Sequence, residues 1–259
     1  LRVAIEGVAF WASRLPGWEL AQAVIRGEQQ PPEAASGRPS PTLLAPTERR
    51  RAPDTVAIAL EVAGRACEAA GRKPADLPSV FASTDGDTAI SDYMCATLAG
   101  TPTLISPIKF HNSVHNAAAG YWSIGTGSLA PYTAISASEY TFATGLLEAA
   151  TQVVCEHRPV LYVVFDIESK GALATMATSR GLLGAALVLA PTAQHQHRQL
   201  SGWQAPHVPR RRGRRFAQLQ PEETVRRQRQ EIRQIADGRE RIAPHHLHRH
   251  AAFIFGKIE

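Results

Sequence analysis

The chain has 259 residues, 44% of them apolar, and a formal net charge of +5. That apolar share supplies a sizeable core and excludes a wholly disordered protein; with no run of eighteen apolar residues, a transmembrane helix is excluded as well. The charge is unevenly divided: residues 1–190 carry 14 Lys and Arg against 17 Asp and Glu, whereas residues 191–259 carry 14 against 6, so a mildly acidic body precedes a basic tail.

In chain order, "VAIEGVAFWA" reads as a buried first strand. Glu6 inside the run and the missing basic n-region argue against a signal peptide. A short helix, "GWELAQAVIRG", follows. Residues 28–46, rich in Pro, Gln, Ser and Gly, read as a loop. Val56, Leu60, Val62, Ala63, Ala66 and Ala69 recur near helical spacing, which predicts a helix from about Asp54 to Gly71. "LPSVFAST" is a strand running into "DGDTAISDYMCATLAG", a helix capped by Asp85 or Asp87. Beyond a Gly- and Ala-rich helical stretch, "APYTAISAS" is another strand. "EYTFATGLLEAATQVVCEH" is an amphipathic helix with Phe142, Leu146, Leu147 and Ala150 on one side. "PVLYVVFDI" has the near-continuous apolar pattern of a strand buried on both faces, and "GAALVLAP" is the last strand.

Strands alternating with helices predict a layered α/β domain over residues 1–191: a mixed sheet with helices on both faces. Cys67, Cys95 and Cys155 are widely spaced and form no CxxC pair, which suits a cytoplasmic protein without a disulfide framework or zinc site. Residues 192–259 lose both periods and hold seven of the ten His. Three readings of this irregular tail stand: a solvated extension, the product of a shifted GC-rich reading frame, or a functional patch. Its Arg clusters suit phosphates or an acidic carrier protein. A helix with Val225, Ile232, Ile235 and Ile242 as sparse apolar positions fits within it.

The densest chemistry lies in "KFHNSVHNAAAGYWSIGTG", Lys109 to Gly127. His111 and His115 are four apart, a spacing that suits metal ligation on a helix. No acidic third ligand lies nearby, however, and Asn112 and Asn116 point to a hydrogen-bonded polar cluster. No metal or cofactor is therefore expected.

Together, "STDGDTAISDYMCATLAG", "SPIKFHNSVHNAAAGYWSIGTG" and "SASEYTFATGLLEA" resemble the β-ketoacyl synthase-like N-terminal-domain proteins of the thiolase-like superfamily. Within that group they are similar to the chain-length-factor partners of type II polyketide and aryl polyene systems. The resemblance covers about residues 1–190 and implies a single ketosynthase-type half of the thiolase-like fold. It also implies a nucleophilic Cys at the N-terminus of the helix after the strand "APYTAISAS", where helix N–H groups stabilise a thiolate. Counting back from Ala143 and Gly145 places that position at Ala137; an alternative register places it at Ile135. Neither is Cys, nor is Ser136 between them, and the tail carries no recognisable counterpart of the decarboxylating histidines.

The resemblance thus implies a non-catalytic subunit paired with a catalytic ketosynthase as a heterodimer and served by an acyl carrier protein. In such a subunit the strand at about Tyr132–Ser136 pairs across the interface, with Tyr132, Thr133 and Ile135 on it. His111, Asn112, His115, Asn116, Tyr121 and Trp122 then shape the interface or an acyl tunnel. Two rival readings differ in class. One is a free-standing acyltransferase with Ser136 or Ser138 as nucleophile and His115 as base. The other, ranked third, is an Arg-rich nucleic-acid binder acting through the tail.

Overall fold

Apolar strands far apart in the sequence pair into one mixed sheet. A computed structural model describes residues 1–169, 171, 174, 179 and 181–192, within the unit Leu1–Gly202. Strands β1 (Val3–Ala12), β2 (Ser79–Ala82), β3 (Tyr132–Ile135), β4 (Val160–Ile167) and β5 (Leu182–Pro191) lie in the order β1-β5-β4-β2-β3. β2 is parallel to both β3 and β4, while β5 runs antiparallel to β4 and β1. The expected tail helix and the His-rich "PHHLHRH" lie outside the described residues.

The helices are α1 (Trp18–Ile25), α2 (Pro46–Arg51), α3 (Asp54–Ala69), α4 (Thr88–Gly100), α5 (Pro107–His111), α6 (Ala117–Thr126) and α7 (Thr141–Glu156). Side chains alternate across a strand, so β4 serves both faces of the sheet. Leu161, Val163, Phe165 and Ile167 join the core under α3 and α6, whereas Val160 and Tyr162 join the core under α7. The β2-to-β3 connection therefore uses one face and the β3-to-β4 connection the other.

Close approach decides which residues face the sheet. A Cβ on Gly7 would stand 2.3 Å from the Ala66 carbonyl oxygen, so α3 rests directly on the β1 backbone. A Cβ on Gly145 would meet Tyr162 Cε2 at 2.7 Å and Ala82 Cβ at 3.0 Å. This correspondingly corrects the expected apolar face of α7: Leu147 is 59% exposed, and Ala149 and Val153 are the fully buried positions. β1 is likewise an edge strand rather than a buried one, with Ile5 half exposed and Glu6 accepting two hydrogen bonds of 2.8 Å from Arg72. The loop over residues 28–46 ends in α2, started by Pro46 at its first turn, where Pro forfeits no hydrogen bond. Leu43 covers Gly64 of α3, and Leu43 and Leu44 together cover Gly125 of α6.

Candidate functional site at the carboxyl ends of the parallel strands

In open α/β sheets, sites form outside the carboxyl ends of the strands. Here β2 and β3 end level with Val164 of β4, which runs on to Ile167, and the loop Ser83-Thr84-Asp85-Gly86-Asp87 follows β2 at this end. Asp166, near the end of β4, holds that loop. It accepts hydrogen bonds from Ser83 Oγ, Thr84 N and Thr84 Oγ1, each at 2.9 Å. Burial raises the Asp166 carboxyl above its ordinary range; the three donors counter part of that rise, and nearby Asp85 adds to it. Gly86, with φ 64°, turns its N–H back to Ser83 Oγ at 3.0 Å. Of the two expected caps, Asp87 is the one used: it accepts from Ile90 N and from Thr55 Oγ1 on α3.

The two carbonyls that this loop presents hold two of the sequence-selected residues. His115 Nε2–H donates to Ser83 O at 2.9 Å, and Ser136 Oγ–H donates to Thr84 O at 2.7 Å. The stretch expected to carry His111 and His115 along one helix is instead broken. His111 ends α5 and His115 lies in the turn before α6. Among the described residues no cluster of His, Cys, Asp or Glu is arranged to hold a metal ion.

The remaining sequence-selected residues divide into three places. Asn116 Nδ2 donates to Tyr132 Oη at 3.2 Å, tying the start of α6 to the start of β3. Asn112 and Trp122 are buried, Trp122 tilted against Phe81 with ring centroids 6.3 Å apart. His111 and Tyr121 meet edge-to-face at 6.0 Å on a separate groove between α2, α5 and α6. Thr133 and Ile135 are partly buried on β3, whose one strand partner among the described residues is β2.

The turn from β3 into α7 carries one of the two described non-Gly residues with positive φ. Ser138 has φ 51° and is exposed, while Ala137, one residue earlier, has φ −146° and ψ 40°, neither helical nor extended. Thr141 closes the turn: its hydroxyl accepts from Ala137 N at 2.9 Å and donates to Ser138 O at 2.6 Å. A left-handed residue at a sharp strand-to-helix turn is where α/β folds expose a nucleophile. Ser136 and His115, each bonded to a different backbone carbonyl, do not form the nucleophile–base pair that hydroxyl activation needs.

Periodicity and motif spacing do not single out Asp166, Ser83 and Thr84. Their signal was nevertheless present: an acid inside the apolar strand "PVLYVVFDI" requires buried donors, and "STDGD" directly after a strand supplies them.

A mixed sheet with crossover helices on both faces, and with its polar network at the carboxyl ends of the parallel strands, defines a ketosynthase-type half of the thiolase-like α/β fold. The profile of the family described as "Beta-ketoacyl synthase, N-terminal domain" matches residues 18–250, and the chain belongs to that family. The match runs across most of the basic tail. No curated protein matches the sequence.

Among solved structures, the chain is similar to one of the ketosynthase ApeO in complex with its chain length factor ApeC from Xenorhabdus doucetiae. Identity is 25% and TM-score 0.61, covering 74% of this chain and 80% of that one. The ishigamide ketosynthase/chain length factor shares the fold at 17% identity and TM-score 0.60, covering 74% and 62%. A β-ketoacyl synthase from Burkholderia phymatum shares it at 16% and 0.57, covering 76% and 60%. The chain thus spans about three fifths of the latter two. No helix among the described residues is long and apolar enough to cross a membrane.

Proposed function

We propose that the chain is a non-catalytic, chain-length-factor-like subunit that pairs with a Cys-bearing ketosynthase in type II polyketide, aryl polyene or fatty-acid-like biosynthesis. The observation that carries this reading is the β3–α7 turn, which keeps the strained form of a nucleophile turn but has Ser138 at its left-handed position. The left-handed φ of Ser138 favours Ser138 over Ala137 or Ile135 as the counterpart of the nucleophile position. A serine there, with no paired base, is a poor acyl acceptor.

The surface fits a subunit whose contribution is contact. β3 is an edge strand, and Tyr132, Tyr140 and Leu147 near it are exposed. Open edges bordered by apolar side chains are usually covered by a partner. The comparable coverage of this chain and of the matched chain in the ApeO–ApeC structure also supports the reading. An acyl carrier protein is the expected third component.

The test is co-expression with the ketosynthase encoded in the same gene cluster, followed by size-exclusion chromatography with light scattering. A 1:1 complex is expected, burying on the order of 2,000 Å² or more as obligate interfaces do. A stable monomer that ignores the ketosynthase overturns the proposal. So does a covalent acyl adduct on Ser138, seen by mass spectrometry after incubation with acyl-carrier substrates and lost in Ser138→Ala.

A further inference from the structure

β3, the strand proposed to meet the ketosynthase, has four residues and, among the described residues, pairs with β2 alone. Segments with so few partners are the ones that open locally unless other contacts fix their ends.

The dipeptide Ser83-Thr84 supplies such contacts, and all of its polar groups are engaged. Three of them serve β3 and its flanks. Ser83 N donates to Ile135 O at 3.1 Å, Ser83 O accepts from His115 Nε2, and Thr84 O accepts from Ser136 Oγ. Beside His115, Asn116 reaches the Tyr132 hydroxyl. Both ends of β3 are therefore tied to this loop, one directly and one through a neighbouring residue.

The other three groups, Ser83 Oγ, Thr84 N and Thr84 Oγ1, all donate to the Asp166 carboxylate. Ser83 is buried, and inside a protein such a network is stronger than the same bonds made in water. Asp166 belongs to β4, which lies on the far side of β2 from β3. It thus acts on the edge strand from two strands away, outside the surface that β3 presents.

We propose that Asp166, through Ser83 and Thr84, is a positioning residue for partner binding: it sets the pose of β3 and hence the affinity for the ketosynthase. This inference rests on the pairing proposal and deepens it.

The full-length chain and its variants are titrated against the ketosynthase of the same gene cluster by biolayer interferometry, and hydrogen exchange is followed in the unpaired chain. Thr84→Val keeps the shape and the amide but removes the hydroxyl donor. Asp166→Asn keeps one acceptor oxygen and loses the other. Each is expected to weaken pairing about tenfold, within the range of couplings carried through a network. Each should also speed exchange at residues 132–138 and leave α3 unchanged. Thr84→Ser, which retains the hydroxyl, is expected to pair as the wild type does. The double variant should be no weaker than either single one, because both break the same link. Gly7→Ala, at the opposite edge of the sheet, is the destabilised control and should pair normally. Circular dichroism melts verify that each variant is folded.

Wild-type affinity in both Thr84→Val and Asp166→Asn overturns the proposal. So does an equal loss in Gly7→Ala, which would mark general destabilisation. If the wild-type chain itself does not bind, the pairing proposal falls and this role in pairing falls with it. Unchanged exchange at residues 132–138 in a chain that does bind overturns the positioning role alone.

Discussion

Asp166 and Thr84 are joined twice, through the Thr84 amide and through its hydroxyl, each at 2.9 Å. This pair fixes the loop whose carbonyls hold His115 and Ser136, so its removal should be felt at both. Asp166→Ala leaves the Ser83 hydroxyl and the Thr84 amide and hydroxyl without their acceptor. Each orphaned donor costs about 1–3 kcal/mol, and a loss of about 3 kcal/mol is expected in urea unfolding. A loss below 1 kcal/mol would show that the network is replaceable by water.

The same carboxyl gives stability a pH dependence of known sign. Burial raises its folded-state pKa, so the folded protein holds this proton more tightly than the unfolded chain does. The contribution of Asp166 is therefore greatest below about pH 4, the ordinary Asp value, and falls as pH rises through the raised folded value. Against Asp166→Asn, which has no proton to lose, wild-type stability should decline relatively as pH rises from about 4 through the raised folded-state pKa. Parallel urea midpoints across that range would refute the assignment.

Ser138 and His157 are the described non-Gly residues with positive φ, at 51° and 53°. A left-handed L-residue costs roughly 1–2 kcal/mol, part of which glycine returns as unfolded-chain entropy. Ser138→Gly and His157→Gly should each stabilise the fold by about 0.5–1 kcal/mol in thermal melts. If His157→Gly stabilises and Ser138→Gly destabilises, the Ser138 side chain holds the turn.

Gly7→Ala brings a Cβ to 2.3 Å from the Ala66 carbonyl oxygen. Backbone on backbone cannot move as a side chain does, so a loss of about 2–3 kcal/mol is expected. A melt within 1 °C of the wild type would mean that β1 and α3 separate more freely than their contact implies.

Ile135→Asp tests the pairing proposal directly. Ile135 is partly buried against the core under α7, so a circular dichroism melt of the variant accompanies the test and loss of the complex counts only if the variant is folded. An unpaired charge buried at an interface costs several kcal/mol and should remove the ketosynthase from the co-purified complex. Retention of the 1:1 complex by this variant would place the interface elsewhere.

The parts of the fold that depend on local pattern were legible. α3 begins just after Pro53 and keeps Val56, Leu60, Ala63 and Cys67 on a buried face, as helical spacing requires. Burial raises the Cys67 thiol to about 12, which makes it a packing residue. What failed depends on distant partners. His111 and His115 have helical spacing, yet the chain breaks between them because His115 is anchored 32 residues back at Ser83. Leu147 fits an apolar stripe, but the sheet admits only the small face of Gly145 and Ala149 against Tyr162. Asp166 finds its donors 82 and 83 residues away, a separation at which composition and periodicity carry no signal.

The pairing of β1 with β5 has a consequence for biosynthesis. Val3 meets Pro191 and Ala12 meets Leu183, so the first of the described strands has its partner in the last of them. At translation rates of about 5–20 residues per second, β1 waits on the order of 10–40 s with its hydrogen-bonding groups unclaimed. During that interval α3, packed against β1 at Gly7, is the neighbour able to shelter it. Slow-codon stretches upstream of β5 would lengthen the exposure, making the nascent chain a client for ribosome-associated chaperones.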